Sequence, residues 1–181
     1  MADRILVYGV TGSGKTTLAG RISAVTGVPW HAVDELTWEP GWVEVPFDEQ
    51  ERRIFRICAG DRWILDTAYS KWSAIPLSRA ELIVALDYPR WVSFGRLLRR
   101  TAARVVDRRT ICNGNHETLR NAVAEDSILR WHFRSFARKR QRIREWEGRA
   151  VTDPSFARVV RLTSPRATRR WLACGCPGGT S

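Results

Sequence analysis

Apolar residues fall into two patterns along this chain. Some stand in short, unbroken runs: Ile5-Leu6-Val7-Tyr8, Trp63-Ile64-Leu65 and Leu82-Ile83-Val84-Ala85-Leu86. Runs this short, without polar alternation, predict strands buried on both faces of a parallel sheet. Val28 to Asp34 reads as a further strand after the first of these, and Val159 to Leu162 as a fifth. Between the strands, apolar positions recur at helical spacing. Leu18, Ile22 and Val25 mark one helix, with Gly27 just past its end. Asp48 and Glu51 form a variant capping box for a second, whose apolar face is Ile54, Phe55 and Cys58 and which Gly60 closes. Pro89 opens another as a first-turn proline. A long helix is predicted from about Asp126 to Trp146, with Leu129, Phe133, Phe136 and Ile143 as its apolar stripe and Arg130, Arg134 and Arg138 as a basic one. Ser164-Pro165 caps a last helix that reaches Ala173. Five such β–α steps imply an α/β fold: a five-stranded parallel sheet with helices on both faces.

The first step carries the chemistry. Gly9-Val10-Thr11-Gly12-Ser13-Gly14-Lys15-Thr16 reads G-x-x-x-x-G-K-[ST], the P-loop pattern, and it stands between a strand and a helix as the motif requires. Glycines let successive backbone N–H groups turn into one hollow, and the helix that follows offers its positive end to the same anion. Gly9, Thr11, Gly12, Ser13, Gly14, Lys15, Thr16 and Thr17 are therefore the candidate nucleotide-binding residues. Lys15 is expected to bridge the β- and γ-phosphates of ATP, and the Thr16 hydroxyl to reach Mg²⁺. Asp34 and Asp66 end the second and third strands, where a parallel sheet opens onto its ligand crevice. Asp66 is the candidate to hold Mg²⁺ with Thr16, directly or through water. Asp34 is the candidate base, or hydrogen-bond partner, for an acceptor hydroxyl.

Composition adds charge. The 181 residues carry a formal net charge of +11, nearly all of it arginine; the lysines are Lys15, Lys71 and Lys139. Three causes produce such a balance: a nucleotide partner, a nucleic-acid partner, or arginine-favouring codon usage. The four cysteines form neither a metal spacing nor a disulfide framework. With no apolar run of about 18 residues and no room for a signal peptide before Ile5, a reduced, cytoplasmic protein without a membrane span is expected. Residues 1–173 read as one domain and 174–181 as a mobile glycine-rich tail.

The N-terminal P-loop, Ile64-Leu65-Asp66 and the arginine-rich segment after the fourth strand resemble the adenylate kinase-like nucleoside and nucleotide kinases. A closer resemblance is to the adenylate kinase-like ATP-binding group called DNA topology modulation proteins. Asp34 with Trp38, Gly41-Trp42, Gly60-Asp61-Arg62-Trp63, Asp66 with Tyr69, and Leu86 to Trp91 carry it. The resemblance implies a P-loop NTPase fold with ATP as phosphoryl donor, and adenine against the backbone near Thr163 to Arg166. Two departures stand out. Where adenylate kinases carry Gly-Phe-Pro-Arg after the strand-three Asp, this chain has Thr67-Ala68-Tyr69-Ser70, so AMP as acceptor is in question. The lid is short, about residues 100–121. Arg96, Arg100, Arg104 and Arg108 recur every four residues and share one helical face; Arg100, Arg104 and Arg108 are the lid candidates for the transferring phosphoryl. The alternative for each is a solvated basic face.

Trp30, Trp38, Trp42, Trp63 and Trp72 cluster on the presumed acceptor half, to stack on a flat acceptor or to pack a core. His31, His116 and His132 lack metal-ligand spacing and read as structural or surface residues. Three functions remain open. The first is an ATP-dependent kinase of a small-molecule acceptor: a nucleoside, a nucleotide or another hydroxyl compound. The second is a nucleic-acid-associated ATPase, and the third an ATP-binding regulator without turnover. Asp34, Asp66 and the arginine lid favour the first, and the lack of any appended DNA-binding motif weighs against the second.

Overall fold

The computed structural model describes residues 2–107, 110–111, 115–116 and 128–175, with side chains described for 2–103 and 132–175. Its centre is a parallel sheet of strands β1 (Arg4–Gly9), β2 (Trp30–His31), β5 (Trp63–Leu65), β6 (Leu82–Leu86) and β9 (Arg158–Leu162), in the order β2-β5-β1-β6-β9. Leu6 is level with Leu65 on one side and Ile83 on the other. Alternate residues of each strand serve opposite layers. Ile5, Val7, Val84 and Leu86 pack with Leu18 and Ile22 of α1 (Lys15–Thr26) and Trp171 of α7 (Pro165–Ala173). Leu6, Tyr8, Ile83 and Ala85 pack with Ile54 and Cys58 of α3 (Phe47–Cys58) and Ile143 and Trp146 of α6 (Ile128–Thr152). Burial on both faces is why the strands appear as unbroken apolar runs. Ser164 caps α7 as expected, accepting from Ala167 N at 3.1 Å.

Two expectations need correction. The second strand is only Trp30–His31; Val33 starts a short helix, α2 (Val33–Thr37), so Asp34 lies in a helical first turn and not at a strand end. Glu35 to Phe47 contains the end of α2 and an antiparallel hairpin, β3 (Trp38–Glu39) with β4 (Val43–Glu44), turned by Gly41 and Trp42, both at positive φ (79° and 60°). Helix α3 begins at Phe47 behind Pro46, with no side-chain cap, so the Asp48–Glu51 box does not form.

Some apolar stripes are also narrower than their periodicity suggests. Val25, Phe55 and Phe133 are 60%, 64% and 48% exposed. Trp63 and Trp72 are core residues, while Trp30 and Trp42 are partly exposed. A four-residue helix, α4 (Ala74–Leu77), precedes β6. Helix α5 (Arg90–Asp107) leads to a small antiparallel pair, β7 (Thr110–Ile111) and β8 (Asn115–His116). Asn113 and Gly114, most of the tail, and the backbone of Arg108 lie outside the described residues. Among the described residues no helix is long and apolar enough to cross a membrane.

Two arginines fasten α6 and β9 to the end of β6. Arg140 Nε lies 3.0 Å from Asp87 Oδ1 and Arg161 Nη1 lies 3.3 Å from Oδ2, with the carboxylate only 2% exposed. Removing one partner of a buried pair costs about 3–5 kcal/mol, and the half-open arginines can turn to water. Asp87→Ala is therefore expected to cost about 2–3 kcal/mol in urea unfolding. A loss below ~1 kcal/mol would show that the pairs contribute no more than surface ion pairs do.

Candidate active site

The P-loop is shaped by what its glycines lack. Gly12 (φ 81°) lies so close to α5 that a Cβ would stand 2.4 Å from Ser93 O and 2.9 Å from Leu97 Cβ. Gly14, at φ 95°, serves as the N-cap of α1 in a left-handed conformation that other residues rarely adopt. Ser13 folds the loop on itself: its hydroxyl donates to Val10 O at 2.7 Å and its N–H to the same oxygen at 3.2 Å.

The loop opens into a cleft of about 520 Å³, lined by every residue from Thr11 to Leu18. Gly9 is outside that lining and lies under Leu86 O, where a Cβ would come within 2.8 Å. Arg21, Tyr88, Pro165, Thr168, Arg169 and Leu172 also line the cleft, as do Asp34, Asp66, Thr67, Tyr69 and Lys139. Arg96 and Arg100 reach in from α5. Arg96 donates to Ser13 O at 3.1 Å and lies 5.6 Å over the Tyr88 ring. Arg104 belongs to α5, but its side chain, like Arg108, lies outside the described residues.

Asp66 is the hub of the acidic side. Its Oδ2 accepts from the Thr16 hydroxyl at 2.7 Å, and its Oδ1 accepts from Val33 N at 2.9 Å. In the same cleft, Asp34 Oδ1 accepts from the Tyr69 hydroxyl at 2.6 Å. Burial and the adjacent Asp34 carboxylate both raise the Tyr69 pKa, so Tyr69 stays a donor. Lys15 donates to Val10 O at 3.2 Å. Burial lowers its pKa, against the pull of Asp34 and Asp66, and Arg100 lowers it further.

The hairpin wall is fastened separately. Arg53 reaches Glu49, Glu39 and Leu36 O at 2.9, 3.2 and 3.2 Å. Buried Gln50 donates to Val45 O at 2.7 Å and accepts from Trp72 Nε1 at 3.3 Å.

Two residues of α6 reach the site that sequence reasoning did not name as functional. His132, fully buried, contacts Thr11 O through Nδ1 at 3.0 Å and Ser93 Oγ through Nε2 at 3.4 Å. A carbonyl only accepts, so Nδ1 carries the proton. Burial keeps the ring neutral by lowering its pKa. Lys139 donates to Gly9 O at 3.4 Å. Neither had a local signal, standing singly in a long basic helix; the one clue was a lysine kept where nearly every other cation is arginine.

No protein-family model and no curated protein matches the sequence. Solved structures do match. A gluconokinase from Sinorhizobium meliloti 1021 is 18% identical, with 95% of this chain and 90% of that one covered and a TM-score of 0.52. A shikimate kinase from Acinetobacter baumannii, in complex with shikimate, is 15% identical, with 97% and 94% covered and a TM-score of 0.53. At such identity the likeness is one of fold: a five-stranded parallel sheet flanked by helices, the P-loop NTPase fold.

Burial raises the pKa of Asp66 above 3.8 despite the bonds from Val33 and Thr16. A carboxylate with a raised folded pKa favours the fold at low pH and weighs against it once pH passes its unfolded value. Asp66→Asn keeps the shape and removes the charge. At neutral pH it is expected to raise Tm by about 2–4 °C, and the gain should vanish as pH falls toward 3.8, followed by calorimetry. A Tm below wild type at every pH would mean that the carboxylate's hydrogen bonds outweigh its desolvation.

Proposed function

We propose that this protein is an ATP-dependent phosphotransferase that moves the γ-phosphoryl group to a hydroxyl of a small-molecule acceptor. The observation that carries this reading is a single cleft that holds a P-loop cradle, the Thr16–Asp66 pair beside it, and a further carboxylate, Asp34, whose charge acts on Lys15. The fold shared with a gluconokinase and a shikimate kinase supports it. The adenosine end of ATP belongs against Pro165, Thr168, Arg169 and Leu172, which continue the cleft beyond the P-loop. The phosphates belong in the hollow at the start of α1, under Lys15.

Thr16 Oγ1 and Asp66 Oδ2 are hard oxygen donors side by side on the cleft wall. They fit Mg²⁺, which keeps several waters and takes few protein ligands. When bound, Mg²⁺ supplies charge neutralisation on the β- and γ-phosphates. The protein's own part is positioning and proton transfer. Asp34, oriented by the Tyr69 hydroxyl, takes the acceptor's proton as its oxygen bonds to the γ-phosphorus. The bond from that phosphorus to the bridging oxygen breaks, and the oxygen leaves with ADP. Arg100, with Arg104 and Arg108 as further candidates, brings guanidinium charge to the transferring group.

The test is ATP turnover with Mg²⁺ across nucleosides, nucleoside monophosphates, sugars and small hydroxy acids. One acceptor is expected to accelerate turnover. Lys15→Ala should lower the rate on the order of 10³-fold. Asp34→Asn should lower kcat by about 10²–10⁴-fold while leaving the KM for ATP unchanged. Acceleration by duplex DNA, and by no small hydroxyl compound, would replace this reading with the nucleic-acid-associated ATPase.

A further inference from the structure

We infer that the Lys139 ammonium is a second phosphate-binding group, which contacts the γ-phosphoryl of the donor from α6 while Lys15 holds it from the P-loop. The inference rests on the phosphotransferase reading above and assigns a further catalytic residue to it.

The chain's three lysines are not equivalent. Lys71 is ion-paired with Glu44 on the hairpin. Lys15 and Lys139 both line the cleft, and among the described residues neither has a carboxylate within ion-pair distance. Each rests on a carbonyl at the end of β1: Lys15 on Val10 O at 3.2 Å, Lys139 on the adjoining Gly9 O at 3.4 Å. Contacts that long are readily exchanged for a charged acceptor. The Tyr8 ring, 5.6 Å from the Lys139 ammonium, holds it over the strand end. Two ammonium groups, one from α1 and one from α6, therefore meet in the cleft beside the P-loop, and an anion shared between them offsets a burial cost that neither a carbonyl nor a ring offsets.

The residue type fits the role. In a chain whose basic positions are almost all arginine, two of the three lysines line the cleft, beside Arg21, Arg96, Arg100 and Arg169, and a compact point charge with an adjustable pKa suits a moving phosphoryl group. Several groups face Lys139: Lys15 at the P-loop, Asp34 on α2, Tyr8 on β1, and His132, Arg138 and Arg142 on its own helix. Burial, then Lys15, pushes its pKa down to about 7, with Arg138 and Arg142 adding to the fall and Asp34 opposing it. Above that pH the free protein holds the group largely neutral. A γ-phosphoryl in contact with it raises its pKa again and draws a proton on, whereas ADP has no such group to offer. His132 has its pKa lowered from 6.5, so near pH 8 it stays neutral in both states.

The experiment is titration calorimetry at about pH 8, well above the neutral range of His132, in two buffers of different ionisation enthalpy. Mg²⁺ is fixed, and the β,γ-imido analogue of ATP is compared with ADP. Wild type is expected to take up more protons with the imido analogue than with ADP. Lys139→Met should abolish the difference and weaken the imido analogue by on the order of 10–100-fold, the range of a charge-assisted hydrogen bond, while ADP changes less than about twofold. Lys139→Arg, always charged, should restore much of the affinity without the proton uptake. A thermal melt of Lys139→Met at or above wild type shows that the fold survives. Equal uptake with both nucleotides, uptake that persists in Lys139→Met, equal weakening of both nucleotides, or a rise confined to the acceptor's KM would each overturn the inference while leaving the phosphotransferase standing. Failure of wild type to bind either nucleotide would instead overturn the phosphotransferase reading itself.

Discussion

Ser93 O stands 2.4 Å from where a Cβ on Gly12 would be, and much of the site's construction follows from that approach. With no side chain at Gly12, α5 lies directly on the P-loop. Ser93 is then close enough for its hydroxyl to meet His132, and His132 spans from there to Thr11 O. Three segments distant in sequence are joined at the back of one anion hollow. The loop's N–H groups need not reorganise when a phosphate arrives, and such preorganisation is where most of the advantage of an electrostatic site lies. The same contact sets the reach of α5, which brings Arg96 to Ser13 O and Arg100 to the cleft.

Charge sets the second constraint. Asp34 and Asp66 share the cleft with Lys15 and Lys139, and burial works against all the charges that it shifts: it raises Asp66 and lowers both lysines. Asp66 remains usable because Val33 N and the Thr16 hydroxyl both donate to it. These groups are individually unfavourable and, on the function proposed above, collectively suited to an anion that carries Mg²⁺. Stability and function pull in opposite directions at such a site.

The middle of the sheet was legible because β1, β5 and β6 are buried on both faces, which leaves apolar runs in the sequence. Where the reading failed, a tertiary contact had overruled the local pattern. Val28 to Val33 has strand composition, yet the pairing of β2 with β5 stops at His31. Two residues on, the Val33 N–H turns to the Asp66 carboxylate, 33 residues ahead, and the chain coils into α2. No local window contains that bond. The exposed Phe133 had a similar cause: Arg90 lies 5.5 Å over its ring and 4.7 Å over that of Phe136, so a guanidinium covers part of a stripe expected to meet the core. The P-loop residues were legible because their chemistry is local. Lys139 and His132 were not, because only the packing of α6 against β1 gives them their place.

That packing makes α6 more than a wall. His132, Phe136, Lys139, Arg140, Ile143 and Trp146 recur at helical spacing and form its inner face. Ile143 and Trp146 anchor the C-terminal half in the core, and Trp146 lies against the Tyr8 ring that Lys139 also touches. Arg140 ties the middle to Asp87 at the end of β6. His132 ties the N-terminal part to the P-loop. A helix held at three points cannot slide or turn without breaking a buried contact, so Lys139 is presented to the cleft by a rigid element and not by a loop. Asp87 and Asp66 lie one residue past the ends of β6 and β5 and serve opposite ends. Asp66 lines the cleft, where burial works against its charge, while Asp87 binds two arginines and fixes the helix that carries Lys139.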